Sequence, residues 1–525
     1  MSGKPLCPKC GDPVSPRGQR NGLTRYSHTG ERKRRECSWH GAHPANVELA
    51  EAKGVDKTVS RQLARDVRAT GSRRLVITAA QNATPINKAF FAALLTYCKA
   101  RKAQLIVVPY RYKNPTSTWS KAAEHDDWWA PELAPYLLDI RTDINPNLVL
   151  LADIKTQPTA SAPLQGFETL TGHKSAIIGH PKLQTRAVPT PQSKMAKLLM
   201  TTGAVTEKNY IPSKAGKKGE HHHTFGACVV EVSGKKFHLR RINAVRDGSF
   251  CDLDGEYRAD GYKTGLSIAA LVMGDTHQKF IDPKVEAATF GRGGIVATLR
   301  PGKLVWHDVY DQYNGNHHHR GEVFINYAKH RFGHTNLRTE LEQTFAFVDR
   351  VAPPGVENIF VPSNHPDALA RWIKETDPRQ DPENCVFWAE TFQAMCAATR
   401  WTESGGRTID PFAYWGQRML KKAQARFPGR NDSVLIRGID VNHHGDAGPN
   451  GARGTAKSFT KIGVKSIIGH SHTPGEENGV IQVGTNSRLD LEYQRGPSSW
   501  MHADCIIYEN GKRSLLFIVD GEWRG

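Results

Sequence analysis

Five short apolar stretches in the second half of the chain each end in residues that can bind a metal ion. They end in Asp275 and His277, in Asp308 and Asp311, in Asn364 and His365, in His443, His444 and Asp446, and in His470 and His472. Imidazole nitrogens, carboxylates and an amide carbonyl suit Mn, Fe, Zn or Co better than Ca or Mg. These are more ligands than one ion can use, so the set predicts two ions, with a carboxylate such as Asp308 between them.

The elements that must position these residues are strands. Each of the five stretches, such as "SIAALVMGD" and "VKSIIGHSH", has the apolar run of a buried strand just before its polar residues. In open α/β sheets the carboxyl ends of the strands form the ligand crevice. We therefore expect folding to bring the five strand ends together.

Charge and composition point to nucleic acid as the partner. The chain has 525 residues, with 71 Lys and Arg against 52 Asp and Glu, a formal net charge of +19. Such an excess attracts polyanions, and DNA is the partner that we expect; a basic surface that is merely solvated is the alternative. No apolar run approaches the length of about 20 residues that a membrane span needs, and the N-terminus is no secretory signal. We expect a cytoplasmic location.

The first 44 residues are polar and predict a zinc ribbon or knuckle. "CPKCG" and "ECSWH" supply paired ligands about 26 residues apart, which can surround one structural Zn tetrahedrally. The predicted ligands are Cys7, Cys10, Cys37 and His40, and His43 could replace His40. A disulfide is the alternative, but nine mostly scattered cysteines indicate a reducing compartment.

Residues 45–72 predict a helix-turn-helix. After a short first helix, Val59, Leu63 and Val67 recur every four residues on a second one. That helix is expected to expose Ser60 and the cations that would bind DNA, namely Lys57, Arg61, Arg65 and Arg68. A small helical spacer is the alternative.

Residues 73–265 predict an additional α/β domain without familiar chemistry. The strands "RRLVITAAQ" and "AQLIVVPYRY" flank a helical stretch, and residues 213–223 are predicted to form a basic loop. His180 in "IIGHPK" only superficially repeats the later histidine motif. A P-loop is absent from the sequence, so ATP hydrolysis by that mechanism is not expected.

The order D-x-H, D-x-x-D, N-H, H-G, G-H-x-H over residues 266–525 resembles the calcineurin-like metallophosphoesterases, and within them the SbcD-type repair nucleases. With "ITAAQNATP", "TTGAVT" and "NGARGT", the whole chain is similar to a phage-encoded group associated with early DNA transfer and host-DNA breakdown. The resemblance implies an α/β fold in which residues 266–525 form a four-layer sandwich, two mixed sheets flanked by helices.

The resemblance also implies roles for single residues. One metal would be held by Asp275, His277, Asp308 and His472, and the other by Asp308, Asn364, His444 and His470. His365 would lie beside the phosphate and Asp311 would orient a ligand. Two positions depart from the family: His307 replaces a glycine, and Pro366 replaces an acid that here comes one place later, at Asp367.

The function that these observations predict is a two-metal DNA nuclease, with Mn as the leading metal. A phosphatase or cyclic phosphodiesterase acting on small phosphoesters is one alternative. A DNA-binding regulator with an inactive phosphoesterase domain is another. The polarity of cleavage, a homodimer and an SMC-like ATPase partner all stay open at this point.

Overall fold

The computed structural model describes residues 14–20, 23–28, 54–68, 73–116, 128–191, 194 and 196–524. They divide into two compact units. The first lies within Met1–Val188 and Lys197–Thr264, and the second is formed chiefly by Gly265–Trp523. The predicted division into four domains, at residues 44, 72 and 265, stays a prediction.

The first unit is an α/β structure. Its strands are Val14–Arg20, Leu23–His28, Arg73–Gln81, Ala103–Tyr110, Thr142–Asn145, Leu148–Leu150, Ser175–Ile178, Gln184–Val188, Lys197–Thr201, Gly226–Ser233, Lys236–Asn243, Phe250–Asp252, Gly255–Arg258 and Gly261–Lys263. Its helices are Lys57–Arg68, Lys88–Arg101, Phe167–Leu170 and Lys214–His222, with a 3-10 helix at Pro131–Tyr136.

The predicted strand–helix–strand pattern at the start of this unit is confirmed. Arg73–Gln81 and Ala103–Tyr110 pair in parallel, and the helix Lys88–Arg101 connects them. The helix begins where the Asn87 side chain accepts the Phe90 N–H, and its inner face packs into the core of the unit. Long apolar runs thus form parallel strands that are buried on both faces.

The segment 213–223 was predicted to be a loop, and this prediction is wrong. Lys214–His222 is a helix, because the Ser213 side chain accepts the Gly216 N–H at its start. Gly216 and Gly219 are buried and would clash with their neighbours if either carried a Cβ. Close packing of the two glycines, which are poor helix formers, therefore outweighs their propensity.

The second unit holds the five predicted strand ends. Its strands are Ala270–Val272, Lys303–Trp306, Glu357–Phe360, Arg400–Thr402, Gly405–Arg407, Gln424–Arg426, Leu435–Ile436, Ile439–Asp440, Ser466–Ile468, Gly475–Glu477, Val480–Gln482, Ala503–Ile507 and Arg513–Phe517. Its α-helices are Pro283–Phe290, Ile295–Leu299, Val323–Phe332, Leu337–Val351, Asn364–Glu375, Cys385–Ala398, Pro411–Met419 and Ala456–Phe459. Short 3-10 helices lie at Gln278–Phe280, His317–His319, Pro378–Gln380, Pro449–Gly451 and Thr460–Ile462.

The predicted strand ends are divided between two mixed sheets. Ala270–Val272, Lys303–Trp306 and Glu357–Phe360 are parallel neighbours in a six-stranded sheet. Ile439–Asp440 and Ser466–Ile468 are parallel neighbours outside that sheet. Two mixed sheets with helices are consistent with an α/β sandwich. Among the described residues, no helix is both long enough and apolar enough to cross a membrane.

Candidate metal centre

Backbone hydrogen bonds beyond the strands join the loops in pairs. The His277 N–H donates to the Asp308 carbonyl oxygen at 2.7 Å, so the first two loops run side by side. The Gly469 N–H donates to the His444 carbonyl oxygen at 2.6 Å, which ties the last two loops together in the same way. The parallel register of the strands therefore continues into the residues that carry the side chains.

One buried cluster consists of Asp275, His277 and His472. His472 Nε2 lies 3.1 Å from Asp275 Oδ2 and 3.0 Å from His277 Nε2. All three side chains are buried, and the Trp500 ring packs edge-on against the His472 ring at 4.3 Å between centroids. Three ligand atoms thus converge in a space that is closed on one side by an indole.

Asp311 orients the His277 ring. Asp311 Oδ1 accepts the His277 Nδ1–H at 2.8 Å, and Oδ2 accepts the Lys279 N–H at 3.2 Å. Because a carboxylate accepts the Nδ1 proton, Nε2 is the nitrogen that faces the cluster, as in metal sites where a carboxylate supports a histidine ligand. Burial alone would lower the pKa of His277, but Asp311 and Asp308 raise this pKa to about 9.

A second contact joins Asp308 and His444. His444 Nε2 lies 2.8 Å from Asp308 Oδ2, and His444 Nδ1 lies 4.0 Å from Asp275 Oδ1. The Ser363 hydroxyl donates to Asp308 Oδ1 instead of capping the helix Asn364–Glu375 that follows it. The Asp308 carboxylate therefore contacts His444 through one oxygen and Ser363 through the other.

The Nε2 atom of His365 lies near the Asp308 carboxylate. Its Nδ1–H donates to the Asp311 carbonyl oxygen at 2.7 Å, since a carbonyl can only accept. Its Nε2 lies 3.9 Å from Asp308 Oδ2, and 24% of the side chain is exposed. His365 is thus the partly accessible imidazole at the edge of a buried set.

In the centre, burial and the neighbouring charges shift the pKa values of the side chains in opposite directions. Burial would raise the pKa of Asp275, but His444 and His472 lower this pKa to about 2. His444 and His365 likewise hold the pKa of Asp308 well below its usual range against burial, and the carboxylates raise the pKa of His444 to about 9. Without a metal, protons on imidazoles therefore balance the buried carboxylates.

The residues fit a metal ion. In the described part of the chain, ligand atoms lie within 4.8 Å of one another in three groups, Asp275–His277–His472, Asp275–His307–His444 and His277–Asp308–His365. Both carboxylate oxygens of Asp275 are buried; His472 Nε2 lies 3.1 Å from Oδ2, and His444 Nδ1 lies 4.0 Å from Oδ1. Burial of a carboxylate costs free energy unless donors or a cation compensate it, and a metal ion among these three groups would do so. These groups could hold a metal ion.

The other two predicted ligands lie at the edge. The half-buried His470 ring is 5.3 Å from the His444 ring between centroids, and burial and His444 lower its pKa. Asn364 is exposed in the first turn of its helix, next to His365. Of the second predicted ligand set, the structure brings Asp308 and His444 into contact and places His470 beside His444, whereas Asn364 is exposed at the start of the helix that carries His365.

Gly469 makes room for two of these side chains. A Cβ at this position would lie 2.3 Å from Asp275 Oδ1 and 3.1 Å from His307 Cγ. The first distance is far below any normal contact between a carbon and an oxygen atom. The glycine between the strand Ser466–Ile468 and His470 is thus needed for the close approach of Asp275.

The sequence did not assign a role to His307. It is buried, and its Nδ1 lies 3.1 Å from His444 Nδ1, although the two residues are 137 positions apart in the chain. Burial and His444 lower the pKa of His307 to about 4. The only signal in the sequence was that a histidine stands where the resembling family has glycine. No sequence pattern indicated that Ser363 would contact Asp308 or that Trp500 would contact His472.

The residues predicted to bind DNA lie on a described helix, whereas the predicted zinc ligands do not. Lys57, Arg61, Arg65 and Arg68 are exposed on Lys57–Arg68. Lys57 also pairs with Asp139, and Ser60, expected to be exposed, is buried and donates to Asp139. The predicted zinc ligands Cys7, Cys10, Cys37 and His40 lie outside the described residues, as does the predicted first helix of the helix-turn-helix.

Comparison with known proteins identifies a phage protein that is similar over most of the chain. No family model matches the chain, and no solved structure matches it. Protein A1 of Escherichia phage T5 is 30% identical over 510 residues, covering 93% of this chain and 91% of the phage protein. The similarity extends through both compact units. The chain therefore belongs to the family of the phage T5 protein A1.

Proposed function

We propose that the chain is a two-metal-dependent nuclease that hydrolyses phosphodiester bonds of DNA. The observation that carries the proposal is the convergence of Asp275, His277, Asp308, His444 and His472 from separate strand ends into one buried centre. We assign the second unit to the four-layer metallophosphoesterase sandwich. The order of the ligands along the chain supports this assignment.

The donor set suits two divalent transition metals. Asp275, His277 and His472 would hold one ion, Asp308 would lie between the two ions, and His444 and His470 would hold the other together with Asn364. Histidine and carboxylate donors favour Mn, Fe, Zn or Co, and we propose Mn. Such a pair, when bound, supplies an activated water near neutral pH and neutralises charge on the phosphoryl oxygens.

The residues of the chain would orient and protonate the substrate. Asp311 holds His277 in the tautomer that turns Nε2 to the centre. The Asp311 carbonyl oxygen fixes His365 Nδ1–H, which leaves His365 Nε2 to contact a phosphoryl oxygen or to donate a proton to the leaving oxygen. Its partial exposure at the edge of the centre suits a residue that meets the substrate.

DNA as the substrate is supported by the charge of the whole chain. A net charge of +19 favours a polyanion over a small phosphoester. We propose that the zinc knuckle and the cationic helix Lys57–Arg68 hold the DNA. The relation to a phage protein supports a role in the infected host cell, in the breakdown or processing of DNA.

The test is a cleavage assay with defined metals. The full-length chain, stripped with EDTA and then loaded with Mn, Fe, Zn, Co or Mg, is offered linear duplex DNA, single-stranded DNA, RNA and bis-p-nitrophenyl phosphate. We expect cleavage of DNA that requires a transition metal and is lost in Asp308→Asn.

Each alternative predicts a different result in the same assay. A phosphatase or cyclic phosphodiesterase would hydrolyse small phosphoesters far faster than DNA. An inactive regulator would bind DNA without retaining two ions per chain. Absence of metal-dependent cleavage of every nucleic acid, at low and at physiological salt, would refute the proposal.

A further inference from the structure

The second unit contains a pocket whose lining includes Pro362 and Asp367, on either side of His365 in the chain. Its volume is about 750 Å³. Its walls come from the helices Asn364–Glu375, Cys385–Ala398 and Pro411–Met419 and from the segment 427–430. Pockets for small molecules and cofactors span about 300–1,000 Å³. The pocket is therefore large enough for one nucleotide.

Arg430 connects the pocket to the loops of the metal centre. Its Nε donates to Asp367 Oδ2 at 2.8 Å, and its Nη2 donates to Asp446 Oδ2 at 2.8 Å. Asp367 comes two residues after His365, and Asp446 comes two residues after His444. One wall of the pocket thus includes Asp367, from the helix that carries His365, and Arg430 joins this wall to the loop that carries His444.

Flat aromatic and cationic groups also line the pocket. The guanidinium of Arg418 lies 3.5 Å over the centre of the Tyr414 ring. Phe427 stacks with one face on Phe360, at 4.7 Å between centroids, and packs against Gly416 of the helix that carries Tyr414, where a Cβ would lie only 2.4 Å from Phe427 Cζ. Aromatic rings and guanidinium planes are the groups on which unstacked bases pack in proteins that bind single strands.

The charges of the pocket suit an anion. Arg400 and Arg418 are exposed at its edge, and guanidinium groups match phosphate geometry. The two carboxylates in the wall are already engaged. Asp367 is paired with Arg430, and Asp410 accepts the Phe412 N–H at the start of its helix. Burial raises the pKa of Asp410 to about 6, which weakens its repulsion of an anion in mildly acidic solution.

We propose that this pocket binds one nucleotide of the DNA strand next to the bond that is cleaved. The base packs against the Arg418 guanidinium that covers the Tyr414 ring and against Phe427, and its phosphate pairs with Arg400. The proposal rests on the proposed function, because it names the subsite that the same substrate would occupy. It also implies that a free 5′-mononucleotide binds without any metal.

The experiment is a calorimetric titration of the full-length chain with 5′-dAMP in the presence of EDTA. We expect saturable binding at one site. Tyr414→Ala and Arg418→Gln should each weaken this binding by about tenfold or more, since stacking on an aromatic side chain contributes substantially to binding. Tyr327→Ala and Arg437→Gln are matched controls, because both side chains are exposed outside the pocket. Both controls should bind dAMP within twofold of the wild type.

The results separate this proposal from the proposed function. If the wild type does not bind dAMP, or if both pocket variants bind it as the wild type does, the nucleotide pocket is refuted even when Mn-dependent cleavage of DNA is observed. If the pocket variants weaken dAMP binding but no nucleic acid is cleaved, the pocket stands and the nuclease is refuted. In an active enzyme, Arg418→Gln should raise the KM for DNA more than it lowers kcat.

Discussion

The substitution Gly469→Ala tests the geometry of the metal centre most directly. It adds one methyl group and changes no charge, hydrogen-bond donor or predicted ligand. The new Cβ would lie 2.3 Å from Asp275 Oδ1, whereas a carbon and an oxygen atom normally stay about 3.3 Å apart. Asp275 or the loop that carries Gly469 must therefore shift by about 1 Å.

The size of the effect follows from that shift. Forcing an extra methyl group into a packed site costs about 1–3 kcal/mol of the free energy of unfolding. A displacement of 1 Å in a catalytic site can lower the rate about 100-fold. Asp275 cannot move freely, because it is buried and its carbonyl oxygen accepts the Asn486 N–H at 2.9 Å. We therefore expect a moderate loss of stability and a large loss of metal binding and of cleavage.

Three measurements check this prediction. Calorimetry with Mn gives the affinity, a thermal melt in EDTA gives the stability, and a DNA cleavage assay gives kcat/KM. Gly406→Ala is the control, since a Cβ at Gly406 meets nothing within 4 Å. If Gly469→Ala bound Mn and cleaved DNA within twofold of the wild type, Asp275 would not be the close neighbour on which the metal centre is built.

Three further predictions concern charge in the same centre. Asp308→Asn should reduce bound Mn from two ions per chain to one or none and lower cleavage at least about 100-fold, with DNA affinity retained, as elemental analysis and gel shift can show. An asparagine at position 311 can accept only one of the two N–H groups that Asp311 now accepts, so Asp311→Asn should lower Mn affinity about 10- to 100-fold by calorimetry. The control Asp377→Asn, at a partly exposed side chain, should leave Mn affinity unchanged. The third prediction concerns pH, because the pKa values of His277 and His444 are raised from 6.5 to about 9. The protonated histidines stabilise the metal-free chain, so this stabilisation is complete below pH 6.5 and is lost as the pH rises to about 9. Over that range the melting temperature in EDTA should fall and Mn affinity should rise; a melting temperature that rises with pH would contradict the assignment.

The strand ends were predictable because their signal is local. An apolar run followed by Asp, His or Asn can be read within about ten residues, and all five runs are strands in the structure. The division of these strands between two sheets was not readable from any single run. The division depends on pairing between distant segments, such as Ala270–Val272 with Lys303–Trp306. The expectation of two sheets came from the resemblance to a family.

Other features could not be predicted, because tertiary contacts decide them. The helix Lys214–His222 has the composition of a loop and forms where Ser213 caps it and its glycines pack closely. Ser60 lies on a helix face that sequence periodicity assigned to solvent, but Asp139 accepts a hydrogen bond from its hydroxyl. The contact of His307 with His444 joins residues that no local pattern relates.

The backbone of the centre supplies an argument that is independent of its side-chain chemistry. Thirteen described residues other than glycine have a positive φ, and four of them are predicted ligands, with φ of 42° at His277, 39° at Asp308, 73° at His470 and 56° at His472. Such conformations cost about 1–3 kcal/mol each and persist only where the surroundings enforce them. A cluster that served packing alone would gain nothing from holding these four residues in strained positions. The strain falls on residues that were predicted as ligands from their side-chain types and from the resemblance, without reference to the backbone, which favours a functional centre over a structural one.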